Sequence, residues 1–193
     1  VLYKIKSKPL ILHVVNRVKL SKKVKKIIVA ISSDKSDHKL AGLLKSSKIN
    51  YVRGSLNNVA LRLYKAAKAN NSNYFLRISG DSPFIDPKII DKAVTIFRKY
   101  KKIDIVTNVF PRTFPSGQSV EIIKTMLLKK YLRNMNRYQK EHVVPFFYSN
   151  SKKFKIINFK SKIKHKKAMK FSIDVKSDLK KMINLFPKWL EQV

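Results

Sequence analysis

Cysteine is missing from this 193-residue chain, so neither a disulfide framework nor a thiolate metal site is available to it. Four scattered histidines leave no His-based zinc pattern either. Acids are scarce: 11 Asp plus Glu stand against 44 Lys plus Arg, for a formal charge of +33. The metal chemistry that remains is carboxylate chemistry, whose hard oxygens suit Mg²⁺. No apolar run approaches the roughly 20 residues that span a bilayer. The opening VLYKIKSKPLILHVV has too short an apolar stretch, and no small-residue cleavage site, for a secretory signal. These absences predict a cytoplasmic protein with no membrane span.

The surplus of positive charge would ordinarily suggest nucleic acid, because Lys and Arg neutralise phosphates and release counterions. Its distribution argues against that as the main function. Only eight of the 44 basic residues are Arg, the side chain that contacts phosphate and guanine bidentately. The lysines are spread along the whole chain and read as a solvated background. One cluster resists this reading, since residues 152–170 carry nine lysines and no acid.

At 193 residues and 44% hydrophobic content the chain has the size of one domain, 1–193, with a core of its own. Apolar runs alternate with helical patterns. PLILHVVNRVKL (9–20) places Leu10, Val14, Val15 and Val18 on one face, with Pro9 in the first turn. KIIVAIS (26–32) is a continuous apolar run, the pattern of a strand buried on both faces. Ser36 is positioned to cap a helix over 37–48, ahead of a short strand at 50–54 and a helix over 57–70. NYFLRIS (73–79) reads as a strand and 86–100 as a helix, with Asp86 as N-cap and Pro87 at its first position. DIVTN (104–108) is a further strand. The Pro-, Gly- and Ser-rich run 110–123 is a long loop entering a strand, followed by short helices near 124–134 and 137–149. Strands at 154–159 and 168–174 and a last helix from about Ser177 complete the pattern. The expected fold is α/β, a mostly parallel central sheet with helices on both faces.

In such a sheet ligands bind beyond the carboxyl ends of the strands. Asp81 falls just past one strand and Asp174 at the end of another. Two carboxylates converging there make a Mg²⁺ site and imply a nucleotide or another phosphate ester as substrate. Other readings stand beside this one. Asp81 in SGDSP can bond its own turn, Asp174 can serve the dipole of the following helix, and Arg77 can be a solvent-facing strand residue. Arg112, in a Pro-rich loop, is a candidate anion contact. Glu141 and His142 form an exposed helical pair that needs no function.

The runs SKPL, RGS, RISGDSPFIDPKIIDKA, PRTFPSGQSVEII, KEHVVPFF and FSIDVKSDL, in that order across nearly the whole chain, resemble the cytidylyltransferases that activate sugar acids. The branch is similar to the spore-coat polysaccharide biosynthesis protein F type, related to acylneuraminate and 3-deoxy-manno-octulosonate cytidylyltransferases. The resemblance implies a nucleotide-diphospho-sugar transferase (Rossmann-like, GT-A) fold and the joining of CTP to a sugar acid with release of pyrophosphate, for surface polysaccharide. It implies that Asp81 and Asp174 hold Mg²⁺ and act in catalysis with Arg112. Arg77, Gly80 and Arg62 would lie at the nucleotide, and Glu121, Glu141 and His142, with Arg112, at the sugar. A homodimer built through the 110–150 arm is the implied assembly.

The chain also departs from that pattern. The family's Gly-rich phosphate-cradling segment precedes the position of Val1, and Ser7 stands where the family has Gly. The expectation is therefore an N-terminally truncated domain that binds CTP poorly and turns over little. Its carboxyl end is also expected to fall short of the relatives. Asn57, Asn58 and Leu61 replace acids, and Ser119 replaces an Asp that usually contacts the sugar. The alternatives are a degenerate transferase fold kept as a polyanion or nucleic-acid binder, and a nucleotidylyltransferase for another sugar.

Overall fold

The computed structural model describes residues 1–100, 102–165 and 169–185. It begins with a tight hairpin, β1 (Lys4–Ile5) against β2 (Lys8–Pro9), turned through Lys6 at positive φ. Pro9 is the N-cap of α1 (Leu10–Lys19), one position earlier than the sequence suggests; a missing N–H costs a helix start nothing. β3 (Val29–Ser32) follows, then α2 (His38–Ser46), β4 (Tyr51–Gly54), α3 (Val59–Ala69) and β5 (Tyr74–Arg77). Asn58 caps α3, its Oδ1 accepting from Leu61 N at 2.9 Å. Asp86 caps α4 (Pro87–Lys99) through Lys88 N at 2.8 Å, as the D-P spacing predicts.

The second half supplies β6 (Ile105–Thr107), β7 (Glu121–Lys124), α5 (Thr125–Tyr131), α6 (Arg137–His142), α7 (Val144–Ser149), β8 (Ile156–Asn158) and α8 (Lys176–Leu185). β3 and β4 form a parallel pair. A separate four-stranded sheet has the order β5-β7-β6-β8, with β7 antiparallel to both neighbours and β8 parallel to β6. The α/β architecture expected from the sequence is present, on a mixed sheet.

Helices cover both faces of that sheet, and strand alternation shows why. Val106 and Ile122 join Val14, Val18, Ile90 and Val94 in a core against α1 and α4. Their chain neighbours Ile105 and Ile123 point the other way, into a core with Ala60, Leu128, Phe147 and Phe154 against α3, α5 and α7. All four strand residues are fully buried, which explains runs such as DIVT and EIIK with no polar alternation.

Three expectations are corrected. Residues 169–174 carry a single isolated bridge, Ser116 with Lys170, and no strand; Ala168 lies outside the described residues. That segment hydrogen-bonds to loops, so its alternating pattern reflects burial of Ile173 rather than pairing in the sheet. Ser36 caps nothing: Asp34 accepts from Ser36 N at 2.9 Å and starts a 3₁₀ turn over Lys35–Asp37 that leads into α2. The helix expected over 137–149 is two helices. Val143 sits between them at φ 68°, a conformation that costs a β-branched residue about 1–3 kcal/mol. Among the described residues no helix is long and apolar enough to cross a membrane.

Candidate active site

Three loops meet beyond the carboxyl end of β5. The first, 78–86, turns through Ser82 N to Ser79 O and Ile85 N to Ser82 O. The second, 115–120, is clipped to it by Gln118, whose amide donates to Phe84 O at 2.6 Å while its carbonyl accepts from Asp86 N at 2.9 Å. The third is 170–174. Phe171 N donates to Ser116 O at 2.7 Å, the Ser116 and Ser172 hydroxyls lie 3.0 Å apart, and Ile173 N donates to Asp81 O at 2.8 Å. Gly117 makes this approach possible: at φ 85° it lies so close to Phe171 that a Cβ would fall 2.4 Å from that residue's carbonyl carbon. Phe84 and Ile173 pack with Ile5 and Leu10 beneath the junction.

This junction brings the backbones of Asp81 and Asp174 together from opposite ends of the chain. Asp81 Oδ1 accepts from the Ser82 hydroxyl at 2.8 Å. Asp174 is half exposed and pairs with Lys170 Nζ at 2.7 Å. The same ammonium reaches Asp178 at 2.7 Å, and Asp178 also accepts from the backbone N–H groups of Asp174 and Val175. These bonds, the one from Lys170 foremost, hold the Asp178 carboxyl down at about 2. Asp178, in the first turn of α8, therefore serves the helix start, while the more exposed Asp174 shares the Lys170 ammonium with it at the rim.

Arg77 and Glu121 are cross-strand partners on β5 and β7, with Nη1 to Oε2 at 3.0 Å. Glu121 also lies opposite Thr107 on β6, and Thr107 Oγ1 is 2.7 Å from the Tyr148 hydroxyl. Burial, reinforced by the Glu121 charge, raises the Tyr148 phenol well above its ordinary range. Phe110 stacks on Tyr148, with ring centroids 4.6 Å apart. Arg112 donates to the Ser119 hydroxyl at 3.0 Å. Arg77 is thus not the solvent-facing strand residue that one reading allowed. Sequence reasoning passed over Thr107 and Tyr148; the signal was their position at the end of DIVT and just after KEHVVPFF.

A groove of about 1010 Å³ opens beside this rim, and Arg62, Arg77, Gly80, Asp81, Glu141 and His142 all border it. Six of the nine predicted site residues therefore share one cavity. Arg112, Glu121 and Asp174 are not among its lining. Arg62 lies against Gly54, where a Cβ would come within 3.0 Å of its Cγ, and donates to Ser55 O at 2.7 Å. Its Nε is buried without an acceptor, and burial lowers the guanidinium pKa despite the opposing charge of Asp37. Glu141 and His142 are exposed at the end of α6.

Among the described residues no group of three or more His, Cys, Asp or Glu is gathered as a metal cage. Asp81 and Asp174 are nonetheless hard oxygen donors on adjoining loops, and the Lys170 ammonium already sits on Asp174 as a monovalent stand-in for a cation. That donor set fits Mg²⁺, which takes one or two carboxylates and keeps water and phosphate oxygens as its other ligands.

The sequence profile of a family described as Cytidylyltransferase matches residues 1–193. The chain belongs to this cytidylyltransferase family. An uncharacterised protein of Methanocaldococcus jannaschii is 31% identical over 187 residues, which is 96% of this cytidylyltransferase chain and 75% of that protein. The 3-deoxy-manno-octulosonate cytidylyltransferase of Elusimicrobium minutum is 31% identical over 87 residues, 42% of this chain and 35% of that one. A cytidylyltransferase structure from Leptospira borgpetersenii superposes with a TM-score of 0.85 at 27% identity, covering 97% of this chain and 87% of its own. The structure of CMP:2-keto-3-deoxy-manno-octonic acid synthetase complexed with CTP superposes at 0.73 with 13% identity, over 97% and 91%, and shares the fold.

Proposed function

We propose that this cytidylyltransferase moves CMP from CTP onto a sugar acid with release of pyrophosphate, in the manner of the spore-coat and sugar-acid branch it resembles. The observation that carries the reading is the bond from Ile173 N to Asp81 O, which sets two carboxylate-bearing loops side by side at the rim of the sheet. Asp81 and Asp174 would hold Mg²⁺, which when bound supplies positive charge to the phosphate oxygens. A sugar hydroxyl oxygen forms a bond to the α-phosphorus as the bond to the bridging oxygen breaks; the hydroxyl proton goes to solvent and pyrophosphate leaves. Arg62, Arg77 and Gly80, which border the groove, would contact the nucleotide, and Glu141 and His142, which border it from α6, would contact the sugar.

Arg112 is suited to the acid group of the sugar. Its partner at residue 119 is a neutral hydroxyl rather than a carboxylate, so its charge is left for an incoming anion. The Phe110 ring stacked on Tyr148 offers an apolar wall close by. We place the enzyme in the cytoplasm, working on soluble CTP and sugar acid as a homodimer through the 110–150 arm.

The test is CTP-dependent pyrophosphate release with a panel of sugar acids and Mg²⁺. Asp81→Asn and Asp174→Asn are each expected to lower turnover by at least about 100-fold. Unchanged turnover in both variants overturns the metal assignment.

A second reading rests on charge. The lysine-rich edge around β8 includes Lys152, Lys153, Lys155 and Lys160, all exposed. Binding to duplex DNA with a steep salt slope, indifferent to Mg²⁺ and to CTP, favours a polyanion binder over the enzyme.

A further inference from the structure

Two buried side-chain amides stand in series behind the rim. Asn108, directly after β6, is fully buried; its amide donates to Gln118 O at 2.7 Å and its carbonyl accepts from Val120 N at 2.9 Å. Gln118, 7% exposed, repeats the pattern one loop further on, donating to Phe84 O at 2.6 Å and accepting from Asp86 N at 2.9 Å. Each amide engages a carbonyl at one residue and an N–H two residues on, as the N–H and C=O of a residue on a neighbouring parallel strand do. Two bonds per amide fix rotation as well as distance. Reversing either amide would set carbonyl against carbonyl and N–H against N–H, so each has a single orientation.

The two amides join distant parts of the site. Asn108 adjoins Thr107, and the 118–120 segment it grips carries Ser119, the partner of Arg112, and runs into Glu121 at the start of β7. The 84–86 segment gripped by Gln118 closes the loop that carries Asp81. Apolar side chains would fill these positions with no polar group to satisfy, so burial alone does not require amides there. A fully satisfied buried network, in contrast, specifies one arrangement of the chain. We propose that Asn108 and Gln118 are positioning residues, a two-amide strut that fixes the separation of the Arg112–Ser119 loop from the Asp81 loop and with it the line along which the sugar hydroxyl approaches the α-phosphorus, an assignment that rests on the sugar-acid reading of the site.

Neither residue borders the groove, and both polar ends of each amide are engaged by backbone, so the pair acts on geometry rather than by touching substrate. Arg17 of α1 holds the intervening carbonyl, Ile85 O, at 3.1 Å. The 84–86 segment is thus gripped by two different elements and has little slack to absorb a change in the strut. A displacement of about 1 Å between reacting groups costs on the order of 100-fold in rate. Binding of each substrate by its own loop survives such a displacement, so KM stays while kcat falls.

The experiment pairs amide hydrogen exchange with steady-state kinetics on Gln118→Met and Asn108→Leu. Three amides report the strut: Val120 at the first amide, Asp86 at the second, and Ile173, bonded to Asp81 O at 2.8 Å, beyond both. Gln118→Met is expected to speed exchange at Asp86 and Ile173 by about tenfold or more and to leave Val120 unchanged. Asn108→Leu is expected to speed all three, while Val106 and Ile122, paired in the sheet, keep parent rates in both variants. In CTP-dependent pyrophosphate release kcat is expected to fall about 10- to 100-fold, with both KM values within about twofold of the parent. If the methionine variant does not fold, Gln118→Glu, which keeps the acceptor for Asp86 and loses the donor to Phe84, replaces it with Ile173 as its reporter. Unchanged Ile173 exchange overturns the strut, and so does a uniform acceleration that includes Val106 and Ile122, which marks lost stability alone. Unchanged kcat beside faster Ile173 exchange overturns the catalytic assignment. A parent that turns over no sugar acid removes the substrate reading and the catalytic role with it, whereas exchange, which involves no CTP, still decides the strut.

Discussion

Arg77 and Glu121 face each other across β5 and β7, 3.0 Å apart, with the glutamate side chain only 4% exposed. Breaking a buried pair leaves an uncompensated charge. Arg77→Met is expected to cost about 3 kcal/mol, measured by urea unfolding, and the double variant Arg77→Met with Glu121→Leu to recover most of it. A single variant as stable as the parent shows that the pair contributes nothing.

Asp178 supplies a pH dependence with a definite sign. Its carboxyl titrates near 2 in the folded chain, below the roughly 3.9 of an unstructured Asp, so its contribution is complete above about pH 4 and is lost as pH falls toward 2. Amide exchange at Asp174 and Val175 should accelerate across that window. Asp178→Asn should remove the acid dependence.

Tyr148 titrates in the other direction. Burial keeps the phenol protonated past its usual range, so ultraviolet titration of the folded protein should show one tyrosine resisting ionisation well above pH 10. A group held neutral in this way stabilises the fold fully below about pH 10, and the contribution fades as pH climbs through the folded value. Tyr148→Phe should abolish the resistant signal and cost about 1 kcal/mol through the lost bond to Thr107.

The assignment of Arg112 can be tested on the residue itself. Arg112→Met removes the guanidinium and leaves the Ser119 hydroxyl in place. KM for the sugar acid is expected to rise about tenfold with KM for CTP unchanged. An unchanged sugar KM removes Arg112 from the acid contact.

The predicted helix at 86–100 and the strands at 104–108 and 73–79 were legible because their determinants are local: the D-P cap, the apolar runs and the β-branched content. The segment near 168–174 was misread as a strand because burial of Ile173 against Phe84 mimics strand alternation, and nothing local reveals that Ser116 and Asp81 are its partners. The single helix expected over 137–149 failed at Val143, whose left-handed backbone no propensity would assign to valine.

Composition and local pattern alone determined the α/β class, the scarcity of acids that singled out Asp81 and Asp174, and the order of motifs along the chain. Tertiary structure alone decided that Arg77 pairs with Glu121, that Thr107 meets Tyr148, and that Arg62, Asp81 and His142 border one groove. The reason is physical. Periodicity records how each segment meets the core, whereas register and strand order arise from contacts between residues dozens of positions apart, on which local spacing carries no information.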